Sequence, residues 1–334
     1  MGSSPADKPA NDIFGFLVVR ARSRSPATSS LQHSVPRNGA ISIPLGVLGV
    51  LGGEGLWLPL SAGICLNQTN TQPAPNAWVS TIVVDIHSHI LPEVDDGSKS
   101  WETSVAMCRM AAADGITHQV ATPHANDRYH YDRDYLQGLV AQLQQKVGDA
   151  LKLSLGCDFH LSYDNMQDVL ANPARYAIDG THYMLVELSN YSVPQQTTDC
   201  FTQLGDRGIT AIITHPERNP ILRESPQLVL EWAEQGCVIQ VTGSALTGFW
   251  GDRVRRAARW LFEHDAVHVL ATDAHDTEKR IPVLSTARDA AAEICGDEVA
   301  DALVEANPAA ILHSQPLPYF PRPVLGSYRR TSGA

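Results

Sequence analysis

Four short segments of this chain carry metal-ligand residues directly after an apolar run that reads as a buried strand. They are Asp85-Ile86-His87-Ser88-His89, Thr122-Pro123-His124, His215-Pro216-Glu217-Arg218 and Asp273-Ala274-His275. Imidazoles and carboxylates are costly to bury unless they are paired or bound to a cation. A fold that ends several strands in this way has to bring those ends together, and the gathering suggests one polynuclear metal site.

The text around these segments is regular from Thr81 onward. Apolar, β-branched runs occur at Ile82-Val83-Val84, His118 to Ala121, Leu151 to Leu155, Tyr183 to Glu187, Ile209 to Thr214, Val238 to Val241 and Val267 to Thr272. Helix-like stretches lie between them, near 99–114, 132–149, 195–207, 226–235, 252–264 and 283–294. This alternation predicts an α/β fold with parallel strands and right-handed crossovers. Its spacing fits a closed or nearly closed β/α barrel better than an open sheet. In such barrels the chemistry sits at the carboxyl ends of the strands, where every segment named above falls. Gly115 and Gly208 read as helix C-terminal glycines.

Residues 1–78 differ from the rest. Residues 1–39 are rich in Ser, Arg, Pro and Asn without an apolar period, which predicts disorder. Residues 40–66 are apolar but broken by Pro44, Pro59, glycines and Glu54, which argues against a signal peptide or a membrane helix. Residues 1–78 are therefore expected to be a disordered or non-native extension, with Val79 as a candidate initiator. Residues 79–313 read as the catalytic domain and 314–334 as a flexible proline-rich tail.

With 43% apolar residues the chain can bury a sizeable core. Its formal charge of −11 argues against a nucleic-acid partner, because no broad phosphate-neutralising surface is available. The six cysteines, Cys65, Cys108, Cys157, Cys200, Cys237 and Cys295, include no C-x-x-C pair and read as reduced core residues of a cytoplasmic protein. No cysteine follows a histidine or precedes an arginine by six positions, so the His-Cys-x5-Arg arrangement of cysteine phosphatases is absent.

His87 and His89 are two apart on a strand, which predicts that both point to one face and chelate one ion. Asp85 reads as a residue orienting an imidazole from behind. The loop Pro92-Glu93-Val94-Asp95-Asp96-Gly97 supplies carboxylates, with Asp96 favoured over Asp95. His124, Asp158, Glu187, His215, Asp273 and His275 complete the candidates, and His130 reads as a rim residue. A buried salt bridge is the alternative for Asp158 and for Glu187. Nitrogen and oxygen donors without thiolate favour manganese, iron or zinc. Several such ions held by bridging carboxylates suit phosphoryl chemistry, in which water attacks in line and no protein nucleophile is needed. Arg218 and Arg280 follow ligand-bearing segments and offer forks for phosphate oxygens, a structural ion pair being the alternative for each.

Segment 82–313 resembles the polymerase and histidinol phosphatase (PHP) superfamily, whose members carry H-x-H, a lone His, a Glu, a later His and D-x-H in this order. The phrases Asp85-Ile86-His87-Ser88-His89-Ile90, Val94-Asp95-Asp96-Gly97, His215-Pro216-Glu217-Arg218 and Ala271-Thr272-Asp273-Ala274-His275 are similar to the metal-dependent bacterial protein tyrosine phosphatases of capsular and extracellular polysaccharide operons. The resemblance implies a seven-stranded, distorted TIM-like (β/α) barrel of PHP type. It implies a site of two or three metal ions, usually Mn2+, with ligands His87, His89, Asp96, His124, Asp158, Glu187, His215, Asp273 and His275. Arg218 and Arg280 match the arginines expected on the phosphotyrosine phosphate. The implied partner is the phosphorylated tail of a bacterial tyrosine kinase in the polysaccharide export machinery, with membrane contact only through that kinase. Homo-oligomerisation stays compatible with the sequence. One departure stands out: the family usually has Glu where this chain has Asp158, so bridging two ions there requires a backbone shift or a different ion spacing.

The expected function is therefore phosphotyrosine-protein phosphatase activity that regulates capsular or exopolysaccharide synthesis. A histidinol-phosphatase-like esterase for small molecules is the alternative, differing only in the pocket. A non-catalytic metal-binding module would have lost ligands, and an amidohydrolase would carry a lysine at a strand end.

Overall fold

Each of the apolar runs forms a strand. The computed structural model describes residues 82–323, and the readings made of residues 1–78, of Cys65 and of the chain beyond 323 lie outside them. Among the described residues the strands are β1 (Val83–Ser88), β2 (Ile116–Ala121), β3 (His124–Ala125), β4 (Lys152–Leu155), β5 (Asp158–Leu161), β6 (Tyr183–Leu188), β7 (Thr210–Thr214), β8 (Val238–Thr242) and β9 (Val269–Ala271). Helices intervene as the periodicity predicts, among them Trp101–Ala113, Arg133–Val147 and Asp252–Glu263. The first starts at Ser100, whose hydroxyl caps the Thr103 N–H at 3.2 Å, satisfying one of the orphan donors of a first turn.

Every ladder is parallel, in two sheets of order β1-β2-β4 and β3-β5-β6-β7-β8-β9. The expectation of a closed, seven-stranded barrel is corrected here: the described residues form nine strands in sheets of three and six, and the ladders do not run continuously round a ring. Pro123 lacks an N–H to donate, and the β2–β4 ladder stops at Ala121 opposite Leu155. The chains step across the break through Gly156 N to Ala121 O (2.8 Å) and Asp158 N to Pro123 O (3.2 Å), and pairing resumes as β3–β5. On the other side, β1 meets the end of β9 through a single bridge, Ser88 to Ala274. Side-chain bonds strengthen that seam: Asp85 accepts from Thr272 N (3.0 Å) and Thr272 Oγ1 (2.5 Å).

Strand alternation explains where the site lies. Leu185, Ile212, Val238 and Val269 share one apolar cluster, while Met184, Val186, Ile213, Ile239 and Leu270 face the helices in a larger one. Following the first set up the strands in steps of two gives Glu187, Thr214, Gln240 and Asp273. The inner face thus changes from apolar to polar at the carboxyl ends. Residues 314–323, assigned to a flexible tail by the sequence, pack against the other end: Leu317 joins the inner cluster, and Asn307 bonds both backbone groups of Tyr319. Cys108, Cys157, Cys200 and Cys237 are buried free thiols and Cys295 is half-buried. Among the described residues, no helix is long and apolar enough to cross a membrane.

Candidate metal centre

The ladder between β1 and β2 shifts register between Asp85 and Ser88, and His87 leaves strict alternation there. As a result Asp85 and His87 part company. Asp85 is wholly buried among Thr272, Gln119 and the His87 backbone, bonding no imidazole, so the role predicted for it is corrected to that of a tie between the first and last strands. The imidazoles are oriented by other residues. Gln240 Oε1 lies 2.9 Å from His87 Nδ1, and Asp95 Oδ2 lies 2.7 Å from His89 Nδ1. Both partners are acceptors, so each Nδ1 carries a proton and each Nε2 is the nitrogen left to face a cation.

Those two Nε2 atoms stand 3.4 Å apart. Asp273 Oδ1 lies 3.4 Å from each, and Asp158 Oδ2 is 3.5 Å from that of His87. Asp158 Oδ2 also lies 3.2 Å from His124 Nδ1, which is 3.7 Å from Glu187 Oε2. Asp96 Oδ1, on the half-exposed loop, is 3.3 Å from His124 Nε2 and 3.4 Å from His275 Nε2. Lone pairs facing one another at such distances repel unless a cation or protons lie between them. Buried His124 Nδ1, Asp158 Oδ2 and His275 Nε2 have no hydrogen-bond partner, although burial normally demands one. The nine predicted ligands fall into four overlapping groups whose donor atoms lie within 4.8 Å of one another: His89-Asp96-His124-His275, His87-His215-Asp273, His87-His89-Asp158 and His124-Asp158-Glu187. All donors are nitrogen or oxygen. The residues therefore fit a small cluster of borderline or hard divalent cations.

The electrostatics agree. Burial disfavours charge on His87, but Asp158 and Asp273 outweigh it and raise its pKa to about 9. His124 is likewise lifted to about 12 against burial, by Asp158 and Asp96. Burial opposes ionisation of Asp273 too, yet Arg218, Arg280 and His87 hold it well below the usual carboxylate range. His275 moves the other way: burial and then the charge of His89 lower it to about 4. Without metal, protons occupy part of the place that cations would fill.

His215 (φ 34°) and Asp273 (φ 52°) both sit in the left-handed region, which L-residues adopt at a cost and which clusters at functional sites. Gly97 approaches His89 so closely that a Cβ would collide with its backbone and side chain. Arg218 and Arg280 both bond Asp273 Oδ2, the latter at 2.5 Å, and their guanidinium carbons lie 4.1 and 5.3 Å from the centre of the Trp250 ring. Sequence reasoning missed Gln240, Trp250, the orienting role of Asp95, and His160, which lies 3.1 Å from Glu187. Gln240, Trp250 and His160 belong to no ligand motif, and Asp95 stood in one only as the less favoured carboxylate beside Asp96. His130 is exposed, as a rim residue would be.

A family model described as capsular polysaccharide synthesis, CpsB/CapC, matches residues 83–313. The tyrosine-protein phosphatase YwqE of Bacillus subtilis (strain 168) is 31% identical over 202 residues, spanning 59% of this chain and 79% of that protein. The tyrosine-protein phosphatase CpsB of Streptococcus pneumoniae is 29% identical over 244 residues, 70% of this chain and 99% of that one. A crystal structure from work on YwqE and CpsB, described there as unique metal-dependent tyrosine phosphatases, superposes with a TM-score of 0.66. It is 30% identical and covers 72% of this chain and 99% of its own.

Proposed function

Because this chain belongs to the CpsB/CapC family of capsular polysaccharide synthesis, we propose that it is a metal-dependent phosphotyrosine-protein phosphatase. The observation that carries the reading is the pairing of an acceptor-only cluster with two arginines that share the carboxylate of Asp273. In this reading the nine residues His87, His89, Asp96, His124, Asp158, Glu187, His215, Asp273 and His275 hold two or three Mn2+ ions. Asp158 belongs to two of the donor groups and so suits a bridging role despite its short side chain. When bound, the ions supply a Lewis-acidic centre that polarises phosphoryl oxygens and brings the pKa of water towards about 7.

The protein's own groups do the rest. Gln240 and Asp95 fix the imidazole tautomers, so His87 and His89 present lone pairs inward. Arg218 and Arg280, each about one-fifth exposed, stand where the cluster opens and direct their remaining N–H donors at the phosphate. Trp250 stacks behind both, limiting the freedom of the two forks. No cysteine is used, and burial pushes the Cys108 thiol up to about 12.

We further read residues 79–313 as the phosphatase domain, its two sheets as a distorted barrel, its compartment as the cytoplasm and its substrate as the tail of a tyrosine autokinase that controls polysaccharide synthesis. The test uses the full chain, stripped with a chelator and then given Mn2+. A phosphotyrosyl peptide is compared with histidinol phosphate. Manganese-restored preference for the peptide is the expected result; preference for the small ester would move the protein to small-molecule metabolism.

A further inference from the structure

A cavity of about 290 Å³ opens beside the site, walled by Pro216 and Glu217, the two residues between His215 and Arg218. Arg223, Arg253 and Arg256 line it together with Trp260 and Leu222. Arg253, Arg256 and Trp260 are spaced i, i+3, i+7 and share one face of the helix Asp252–Glu263, while Val254, Ala258 and Phe262 are buried on the other side. Among the described residues the one ion pair of that helix joins Arg255 to Asp252 at 3.0 Å, which leaves Arg253 and Arg256 exposed without a carboxylate partner. Arg223 is held from behind, its Nη1 donating to the carbonyls of Glu217 (3.2 Å) and Arg218. Glu217 and Glu224 line the cavity as well, so three guanidinium groups face two carboxylates, and in a chain of formal charge −11 this is still a local excess of positive charge.

We propose that this cavity is a second anion site, which takes an acidic side chain of the same peptide whose phosphotyrosine enters the metal centre. The inference rests on the phosphotyrosine reading above and adds to it a sequence preference around the phosphorylated residue. Guanidinium forks recognise carboxylate and phosphate alike. One feature favours a peptide over a free anion: Trp260 and Leu222 give apolar cover for the stem of a side chain. The two anion positions lie on neighbouring residues of one segment, within the span of a few residues of extended peptide.

The test measures binding by fluorescence anisotropy, with the full chain and a labelled peptide carrying a non-hydrolysable phosphotyrosine analogue flanked by glutamates. Its counterpart has glutamines in their place. The parent should bind the glutamate peptide on the order of tenfold more tightly, and the double variant Arg253→Glu/Arg256→Glu should lose that preference while melting at the parent temperature. Equal affinities in the parent overturn the proposal, whatever the variant does, and so does a preference that survives in a folded variant. Vesicles containing phosphatidylglycerol provide a further arm: binding that depends on Arg253 and Arg256, without peptide preference, would make this face a membrane contact instead. Failure of the phosphatase reading looks different, namely no manganese-dependent hydrolysis of any phosphotyrosyl ester.

Discussion

Gln240→Leu isolates the contribution of a residue that touches no metal. Gln240 is wholly buried, and its Oε1 is the acceptor that keeps the proton of His87 on Nδ1. Leucine leaves that N–H stranded at a wholly buried position, a penalty of about 1–3 kcal/mol. Loss of such a partner behind a ligand imidazole typically weakens metal binding about 10- to 100-fold, the equivalent of roughly 1.4–2.7 kcal/mol. The two routes to the magnitude agree. Folding stability should change less, because Gln240 Nε2 is itself buried without a partner and the substitution removes that orphan as well. Calorimetric titration of Mn2+ into the chelator-stripped full chain reads the affinity, and a thermal melt reads the stability. Gln240→Glu keeps an acceptor at the same place and should bind Mn2+ within a few-fold of the parent. Parent-like affinity in the leucine variant would refute the argument that the imidazole is held from behind.

Three further outcomes are expected. Metal-free protein should lose stability as pH rises from 6.5 through about 9, because the folded pKa of His87 lies above its unfolded value, so its stabilisation is complete below that window and lost across it; Mn2+-loaded protein should lack this dependence, and identical melting profiles for the two forms would count against it. Arg218→Lys or Arg280→Lys should lower kcat/KM on a phosphotyrosyl peptide about 10- to 100-fold, since an ammonium cannot bond Asp273 and phosphate together as a fork does; steady-state kinetics with the melting temperature unchanged is the check. Gly97→Ala should destabilise the fold by about 1–3 kcal/mol through its collision with His89, read from urea unfolding.

Much of this was legible in the residues because most of the candidate ligands follow an apolar run, and strand ends in a parallel sheet share one edge. Seven of the nine strand positions follow from apolar runs, and the candidate ligands from motifs such as His87-Ser88-His89; the short β3 and β5, which His124 and Asp158 open rather than end, carried no such run. What remained hidden depends on which strand lies beside which. Gln240 sits in Val-Ile-Gln-Val and becomes meaningful only because β8 brings it to His87, 153 residues away. Asp85 looked like an imidazole partner until the register shift in β1 turned it towards Thr272. Trp250 lies in a turn with no ligand nearby in sequence, yet two arginines stack on it. The break between the two sheets came from Pro123, which was visible, but its effect on a neighbouring ladder was not.

The bonds between Asp85 and Thr272 join residues 187 positions apart. During synthesis at about 5–20 residues per second, the first strand therefore waits roughly 10–40 s for the last. The group of His87, His89 and Asp158 is complete first and that of His124, Asp158 and Glu187 next, well before Asp273, whereas the group of His87, His215 and Asp273 is completed only near the end. The donor groups thus mature in a fixed order, and for much of its birth the nascent chain displays a partial set of ligands. The first ion captured would be chosen by what the cell offers to that early group, and the final seam between β1 and β9 would close over the choice already made.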